Sequence, residues 1–246
     1  MNITPPWPSG YGQIRFDELD STNSEARRLA EKGEPGPLWI SAARQSAGRG
    51  RRGKVWDAGQ GNLAATLLLR PGKPAAVIGQ LSFAAALAVA DTAQHFAPDA
   101  AIQVKWPNDV LGNGRKLAGI LLESGEDSGV RWLAIGIGMN LASFPAGTEF
   151  PATSLAQLGL PAPSSQEALS VLAARFAHWY DAWMGEGFEM LRAAWIGRAG
   201  GLGKAIRARL PGSIHEGVFE GIDASGALLL NQQGHVRTIT AGEVFF

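Results

Sequence analysis

The chain alternates short apolar runs with longer segments of helical period, and this alternation predicts a fold that contains both strands and helices. Residues 38–43 and 63–69 are almost wholly apolar and have the length of strands, so both are predicted to be buried strands. Residues 74–96 are apolar and Ala-rich, which predicts one long core helix. Further strands are predicted at 13–16, 102–106, 116–124 and 130–137, and further helices at 165–184 and 186–196.

Turn and capping residues predict where these elements begin and end. Thr22, followed three residues later by Glu25, forms a capping-box pattern, so a helix is predicted to begin there and to end at Gly33. Residues 107–109 are Pro, Asn and Asp, which predict a tight turn. Residues 125–129 predict a hairpin loop between two strands.

The pattern changes near residue 200, which predicts a second, smaller domain. Residues 197–203 include four glycines and predict a hinge. Beyond the hinge, short strands separated by turns are predicted at 205–210, 214–222, 227–231 and 236–240. This tail of roughly 45 residues has the size of a small SH3-like β-barrel. The predicted domains are residues 1–199 and residues 200–246.

Composition narrows the class of protein. With 246 residues, of which 46% are hydrophobic, the chain is long enough to form a soluble globular core. It has no cysteine, which excludes disulfides, thiolate zinc sites and iron–sulfur clusters. There is no secretory signal pattern, and the longest purely apolar run, 83–90, is far shorter than the ~18 residues of a membrane span. We therefore expect a cytoplasmic protein without a membrane partner.

The charge is balanced overall but uneven along the chain. The 22 basic residues equal the 22 acidic residues, which argues against a general binder of polyanions. Residues 35–56, however, contain no acid. This basic segment carries five cations, namely Arg44, Arg49, Arg51, Arg52 and Lys54.

The sequence GRGRRGK at residues 48–54 matches two phosphate-binding patterns, and neither template fits the flanking residues. A dinucleotide fold needs the loop to lead into a helix, whereas residues 54–62 are polar and lead into a strand. An ATPase P-loop needs Ser or Thr after the lysine, and Val55 stands there. Glycines with Arg and Lys can still bind an anion through backbone amides and charged hydrogen bonds. The alternative is a solvated basic loop that touches nucleic acid.

Other polar clusters are predicted where strands begin or end. Residues 105–109, KWPND, place a cation, an amide and a carboxylate around one turn, which suits a nucleotide and its magnesium, although the same residues are ordinary turn formers. Lys116 stands at the start of a strand and is either a site residue or an edge lysine. Residues 136–140, GIGMN, leave room beside a strand for a ligand or another backbone. Residues 21–23, Ser-Thr-Asn, form either a site or an N-cap.

Taken together in this order, the motifs resemble those of the biotin protein ligases. The matching segments are Ser21-Thr22-Asn23, Gln45 with GRGRRGK, KWPND, RKLAG at 115–119, GIGMN, and GIDASGALLL at 221–230. The resemblance runs from about residue 16 to the C-terminus. It implies an α+β fold, with a central mixed sheet flanked by helices as in class II synthetases, followed by a C-terminal SH3-like barrel.

The resemblance also implies an activity in two steps. ATP with Mg²⁺ would convert biotin to biotinyl-5′-AMP, and a lysine of a biotin carboxyl carrier domain would then take the biotin. Some members of the family carry an N-terminal DNA-binding domain, and this sequence resembles the short form without it, so no specific DNA binding is expected. The oligomeric state is open, with a homodimer as one option.

Site residues follow from the resemblance position by position. Biotin would contact Ser21, Thr22, Asn23, Gln45, Gly48, Arg49, Gly50, Arg51 and Lys116, with Gly119, Gly136 and Gly138 leaving space for its bicycle and valeryl chain. The nucleotide would contact Arg51, Lys54, Trp56, Lys105, Asn108, Asp109, Lys116 and Asn140. Lys116 is implied to be the chief catalytic residue with Arg51 beside it, and Asp109 is implied to hold magnesium.

A lipoate or octanoate ligase or transferase is the nearest alternative, since such enzymes have a similar fold and also acylate a carrier lysine. The GRGRRG and KWPND motifs favour biotin. Lys54 departs from the pattern because the family often has Arg there, and an ammonium cannot bind a phosphate in bidentate fashion.

Overall fold

The computed structural model describes residues 4–56, 59–127, 130–159 and 161–246. Within these residues, seven strands form one mixed sheet in the order β1-β2-β3-β7-β6-β5-β4. The strands are β1 (Gly12–Leu19), β2 (Leu38–Gln45), β3 (Leu63–Leu69), β4 (Ile102–Lys105), β5 (Asp109–Gly112), β6 (Arg115–Asp127) and β7 (Val130–Met139). Strands β1 and β2 are parallel because helix α1 (Thr22–Glu31) crosses over between them, and every other neighbouring pair is antiparallel.

Helices cover both faces of this sheet, which explains why its central strands are continuous apolar runs. Ile40 and Leu68 pack with α1 on one face. Their strand neighbours Trp39 and Leu67 point to the other face, where they join the main core. That core includes helices α3 (Leu81–Phe96), α4 (Ser165–Glu186) and α5 (Phe188–Ile196).

The predicted single helix over residues 74–96 is interrupted. Helix α2 (Ala75–Ile78) ends before Gly79, and α3 begins two residues later at Leu81. The whole stretch 75–96 is long and apolar enough to cross a membrane, with a mean hydropathy of 1.5, but 61% of its apolar window is buried inside the protein. Helix α3 is apolar on all sides because the sheet, α4 and α5 surround it.

In the described part of the chain, a second, antiparallel sheet has the order β11-β10-β9-β8-β12. Its strands are β8 (Ala205–Leu210), β9 (Ser213–Ile222), β10 (Leu228–Gln232), β11 (His235–Ile239) and β12 (Glu243–Phe245). The predicted architecture, a mixed sheet flanked by helices with a small C-terminal β unit, is confirmed. The boundary between residues 199 and 200 stays a prediction.

Two further sequence predictions about local structure were wrong, and two short strands were missed. Helix α1 has no capping box, because Ser21 is its N-cap, makes no side-chain capping bond, and leaves Thr22 as the first helical residue. The loop predicted at 125–129 is mostly strand, since Gly125 pairs with Trp132 in the β6–β7 ladder, and residues 128 and 129 lie outside the described residues. The four-residue strand β5 and the three-residue strand β12 were not predicted, since runs this short carry no readable period.

The second sheet packs on the first part of the chain through Phe83 and the turn at Gly226. The ring of Phe83 meets the rings of Phe188 and Trp195 edge to face, at centroid distances of 5.2 and 5.5 Å. Gly226 lies directly against this ring, and its carbonyl accepts a hydrogen bond from Trp106 Nε1 at 3.0 Å. The glycine is needed for its backbone, with φ +86°, and for its lack of a side chain.

We expect Gly226→Ala to destabilise the protein more than Gly234→Ala. Both glycines have φ near +90°, so both variants carry backbone strain. Only at Gly226 would the new Cβ lie 2.6 Å from Phe83, whereas the Cβ at Gly234 would meet no atom within 4 Å. The extra cost at Gly226 is about 1–3 kcal/mol, as for other overpacked sites, measured by urea unfolding of both variants. Equal losses would show that Phe83 can move aside freely.

Candidate active site

A cavity of about 510 Å³ lies on the α1 face of the sheet, beyond the N-terminus of α1. We call it the central cavity. Its floor contains residues of β3, β7 and β6 in two rows: Gly136 and Leu121 in one row, and Ala64, Gly138 and Gly119 in the other. Thr66 of β3 pairs with Gly136 but is fully buried and does not line the cavity. The predicted site residues all line it, except Gly48. Residues of the second sheet, Glu243 and Phe245 on β12, line it as well.

One end of the cavity is polar and uncharged, and we call it the polar corner. It is formed by Thr22, Asn23, Gln45 and Thr66. The Thr22 backbone N–H donates to Gln45 Oε1 at 2.8 Å, and the Thr22 and Thr66 hydroxyls are 2.7 Å apart. The hydroxyl of Thr66 also lies 2.6 Å from Asn23 Oδ1. Thr22, Asn23 and Thr66 are buried, so these groups are held in fixed orientations.

Asn23 is oriented from its other side by Glu123 on β6. The Asn23 amide Nδ2 donates to Glu123 Oε2 at 2.8 Å, and the same oxygen accepts from Arg49 Nη2 at 2.9 Å. A Cβ on Gly136 would lie 2.1 Å from Asn23 Oδ1, so this glycine is required for the amide to reach the floor. The carboxylate of Glu123 therefore joins the polar corner to the basic segment.

The basic segment folds into a small hairpin, which we call the basic hairpin (residues 48–56). Arg49 bridges Val55 across it, Gly50 N–H donates to Lys54 O at 2.7 Å, and Trp56 N–H donates to Gly48 O at 3.0 Å. Arg52 at its tip has φ 55°. Gly48, the first residue of the hairpin, packs closely against the last one, since a Cβ on Gly48 would be 2.3 Å from the carbonyl oxygen of Trp56.

Arg51 and Lys54 connect the hairpin to two different parts of the cavity wall, the turn between β4 and β5 and the strand β12. Arg51 Nη1 donates to Asn108 Oδ1 at 3.2 Å, and Asn108 Nδ2 donates to Ile120 O at 2.7 Å. Burial is the main cause that lowers the pKa of Arg51 below its usual value, with the neighbouring Arg52 adding to it. Lys54 Nζ pairs with Glu243 Oε1 at 2.8 Å.

Trp56 fills the space that the glycines were expected to leave for a ligand. A Cβ on Gly138 would lie 2.1 Å from the indole, and a Cβ on Gly119 would lie 3.1 Å from it. The side chains of Trp56 and Asn23 thus lie on the bare backbone of these two glycines and of Gly136, and the role of the three glycines in making room for biotin stays a prediction. The indole Nε1 is buried and has no hydrogen-bond partner among the described residues.

The opposite end of the cavity holds a cationic cluster around one carboxylate. Asp109 accepts from Lys116 Nζ at 2.6 Å and from Lys105 Nζ at 3.2 Å. Burial lowers the pKa of Lys105, and the charge of Asp109 opposes that shift. Lys105 Nζ also lies 4.2 Å from the ring centroid of Phe150. Lys116 is partly exposed to the cavity, with 28% of its side chain accessible.

Asn140, at the end of β7, presents an acceptor to the same cavity. Its Nδ2 donates to Thr153 O at 2.9 Å, whereas its buried Oδ1 has no partner among the described residues. A buried, unpaired amide oxygen is costly unless a ligand donates to it.

The second sheet adds an ion-pair network to the cavity rim. Arg209 on β8 pairs with Glu149 at 2.6 Å and also with Glu243. Burial opposes ionisation of Glu243, but hydrogen bonds from Lys54 and Arg209 outweigh it and lower the pKa of this carboxyl to about 2. Glu243 is thus ionised at neutral pH and holds the basic hairpin to β12.

Thr66, Glu123 and Glu243 contribute to the site and were not predicted from the sequence. Thr66 interrupts the otherwise apolar strand LAATLLL, and a polar residue inside a buried strand is a signal that could have identified it. Glu123 carries a weaker signal, because it directly follows the apolar residues 120–122 and precedes the polar end of β6. Glu243 carries no such signal, because it lies in a strand of three residues.

The donor set limits how a metal could bind. Among the described residues, no group of three potential metal-ligating His, Cys, Asp or Glu side chains comes together. Both carboxylate oxygens of Asp109 already face lysines. A magnesium ion here would therefore depend on substrate phosphates for most of its ligands, as is common for Mg²⁺.

The arrangement fits an elongated ligand with a neutral polar head and an anionic tail. The polar corner offers oriented, uncharged donors and acceptors, whereas Arg51, Lys105 and Lys116 offer positive charge at the other end. Positive side chains of this kind bind carboxylate and phosphate oxygens through charge-assisted hydrogen bonds.

Comparison with known proteins agrees with this geometry. Residues 16–140 match the biotin/lipoate A/B protein ligase family, and residues 201–246 match the biotin protein ligase C-terminal domain. The chain is 46% identical over 235 residues to a biotin–[acetyl-CoA-carboxylase] ligase of Paracoccus denitrificans, covering 92% of this chain and 97% of that protein. It is 35% identical over 245 residues to the bifunctional ligase/repressor BirA of Bacillus subtilis, covering 96% of this chain and 74% of that protein.

A solved structure shows the same fold. The biotin protein ligase from Aquifex aeolicus in complex with biotin and ATP superposes with a TM-score of 0.83 at 25% identity, covering 95% of this chain and 97% of that one. The sequence-based assignment is therefore confirmed. The chain belongs to the biotin/lipoate A/B protein ligase family and, within it, to the biotin protein ligases.

Proposed function

We propose that this protein activates biotin with ATP and transfers it to a lysine of a biotin carboxyl carrier domain. The main observation in support of the proposal is that one and the same cavity contains the neutral polar corner and the cationic cluster. The relatives support it, since one is a biotin–[acetyl-CoA-carboxylase] ligase and a neighbouring structure contains biotin and ATP. We further propose a cytoplasmic location and, from the zero net charge, no specific DNA binding.

The reaction has two displacements. In the first, a biotin carboxylate oxygen attacks the α-phosphorus of ATP, the bond to the β-phosphate bridge breaks, and pyrophosphate leaves. In the second, the carrier lysine amine attacks the carbonyl of the biotinyl-5′-AMP anhydride, AMP leaves, and the amine loses a proton. The first step brings anionic carboxylate and phosphate oxygens together, and the second develops negative charge on the attacked carbonyl oxygen. Positioning and charge stabilisation are therefore the main contributions of the protein.

Lys116 is the proposed chief catalytic residue. Asp109 holds its ammonium group at 2.6 Å, so the charge is in place before substrates bind. From there it would contact the biotin carboxylate and the α-phosphate, and would stabilise the charge that develops as they join. Lys105, Asn108 and Asn140 would contact the nucleotide. Trp56 would pack against the adenylate once its indole turns away from Gly138 and Gly119.

The polar corner would recognise the ureido ring of biotin. Thr22, Asn23 and Gln45, together with Ser21 beside them, offer fixed donors and acceptors to a neutral head group, with Gly119, Gly136 and Gly138 as the floor. The basic hairpin, with Gly48, Arg49, Gly50, Arg51 and Lys54, would close over the adenylate and retain it. Arg51 is the proposed second catalytic residue.

Magnesium fits this site in one mode. Asp109 would supply a carboxylate ligand to a Mg²⁺ ion that enters with the ATP phosphates, exchanging one of its lysine partners for the ion. When bound there, the ion would neutralise phosphate charge.

The alternative function is that of a lipoate or octanoate ligase, and a homodimer is one option for the assembly.

The proposed function predicts a mass gain on the carrier. The protein is incubated with ATP, Mg²⁺ and an apo carrier domain, with biotin, lipoate or octanoate offered separately, and the carrier is weighed by mass spectrometry. We expect a mass increase with biotin that requires ATP. A gain with lipoate or octanoate and none with biotin would instead establish the alternative.

Replacing Lys116 by Met should abolish adenylate formation and weaken biotin binding far less. The side-chain stem is kept and the positive charge is lost, so pyrophosphate release should fall by about 100-fold to 1000-fold, as for loss of one transition-state donor. Calorimetry measures biotin binding in parallel. Lys73→Met, at an exposed loop lysine outside the cavity, is the control. Equal, small effects of both variants would show that Lys116 is an edge lysine.

Arg51→Gln should let biotinyl-AMP escape. Removing the charge also weakens the hydrogen bond to Asn108, so we expect the adenylate to dissociate about 10-fold to 100-fold faster, the effect of losing one charged hydrogen bond. The rate is measured by filter binding of labelled adenylate. Arg44→Gln removes a cation from the same acid-free segment at an exposed position that does not line the cavity, and should not change the rate. Unchanged retention in Arg51→Gln would contradict the assignment.

A further inference from the structure

We propose that Glu123 is a positioning residue that couples the polar corner to closure of the basic hairpin. The inference rests on the proposed function, in which the corner holds the head group and the hairpin retains the adenylate. Glu123 does not line the central cavity, so its effect would pass through Asn23 and Arg49. The supporting geometry is one carboxylate oxygen, Oε2, shared between these two side chains at 2.8 and 2.9 Å.

On the polar side, Glu123 decides which way the Asn23 amide points. An ionised carboxylate only accepts hydrogen bonds, so the Asn23 group facing it must be the NH₂. The amide oxygen then faces Thr66 Oγ1 at 2.6 Å, and the Thr66 hydroxyl is committed to donating to it. The Thr22 hydroxyl lies 2.7 Å from Thr66 Oγ1 and 3.1 Å from Gln45 Oε1, so its single proton has both of these oxygens as acceptors. The orientation of the Asn23 amide and of the Thr66 hydroxyl therefore follows from the charge at Glu123.

On the hairpin side, Arg49 is at the base of the basic hairpin. It bridges Val55, and the next turn of hydrogen bonds, Gly50 to Lys54, closes the hairpin above it. Trp56, whose indole lies on Gly138, follows directly in the chain. A contact at Arg49 therefore fixes the hairpin backbone, up to Trp56, relative to β6.

An isolated ion pair with this exposure, 45% for Arg49 and 35% for Glu123, would add little, because ordering two long side chains opposes the charge attraction. Here the carboxylate is already held by the buried Asn23 amide, so less freedom is lost when Arg49 binds. The coupling is reciprocal by linkage: a ligand that fixes Asn23 holds the carboxylate for Arg49, and a closed hairpin holds it for Asn23.

The first test needs no substrate, so it is independent of the proposed function. Trypsin cleaves after Arg or Lys in locally unfolded chain, so it cuts the exposed basic hairpin chiefly when the hydrogen bonds of the hairpin are open. We expect Glu123→Gln to be cut within residues 49–54 about three- to fivefold faster than the parent, the effect of losing one partly exposed ion pair. Arg49→Gln, which removes the same contact from the other side, should be cut at the remaining sites at a matching rate. Fragment masses identify the cleavage sites.

Glu126→Gln is the matched control. Glu126 lies on the same strand and pairs with Arg131 at 3.3 Å, away from the hairpin, so its variant loses a β6 carboxylate and an ion pair without losing the proposed contact. Cleavage of Glu126→Gln should equal that of the parent. If Glu123→Gln were cut no faster than Glu126→Gln, the coupling would be overturned.

A double-mutant cycle separates coupling from general damage. Biotin dissociation is measured for Glu123→Gln, Arg49→Gln and the double variant. We expect each single change to speed dissociation and the second change to add little in the presence of the first. Full additivity would overturn the inference. Absence of biotin transfer by the parent protein would instead contradict the proposed function, while the cleavage test would still report on the Glu123–Arg49 contact.

Discussion

The site depends on one carboxylate, Asp109, which holds two ammonium groups together in a poorly solvated space. Lys105 is buried, and burial alone would favour its neutral form. Asp109 begins β5, and strand pairing places it opposite Lys105 on β4 and Gly119 on β6. Sheet register therefore explains the contact with Lys105, whereas Lys116 pairs with Leu111 and reaches Asp109 across an irregularity in the β5–β6 ladder. This arrangement lets the protein hold positive charge where anionic substrates would meet, without the two cations driving each other apart.

The neutral charge of the whole chain is consistent with this local concentration. Positive groups of the site are paired in the free protein with acids from distant parts of the sequence: Arg49 with Glu123, Lys54 with Glu243, and Lys116 with Asp109. Each acid keeps its cation at the cavity. The second sheet belongs to the site for the same reason, since Glu243 on β12 and Arg209 on β8 form part of the rim.

Much of the fold could be predicted because its strongest signals are local. Strand β3 was predicted with its exact bounds, 63–69, since burial on both faces makes it continuously apolar. Strands β5 and β12 were missed because four and three residues show no period. The capping box failed because Thr22 makes its hydrogen bonds with Gln45 and Thr66, residues that are distant in sequence. In the site, motifs identified the cavity-lining residues, but Thr66 and Glu123 act through contacts 43 and 100 residues away, which no spacing rule contains.

The position of Trp56 shows what must move for the site to work. Its indole covers Gly138 and Gly119, the floor on which a ligand between the polar corner and Lys116 would have to lie. The hydrogen bond from Trp56 to Gly48 O is made by its backbone N–H, so the indole can leave this floor by rotating about its side-chain bonds while the hairpin keeps its hydrogen bonds. The contacts that hold the hairpin, from Arg49, Arg51 and Lys54, are partly or largely exposed and individually weak. Weak contacts of this kind suit a lid: together they keep the cationic side chains near the cavity, and none of them is strong enough to prevent substrate entry.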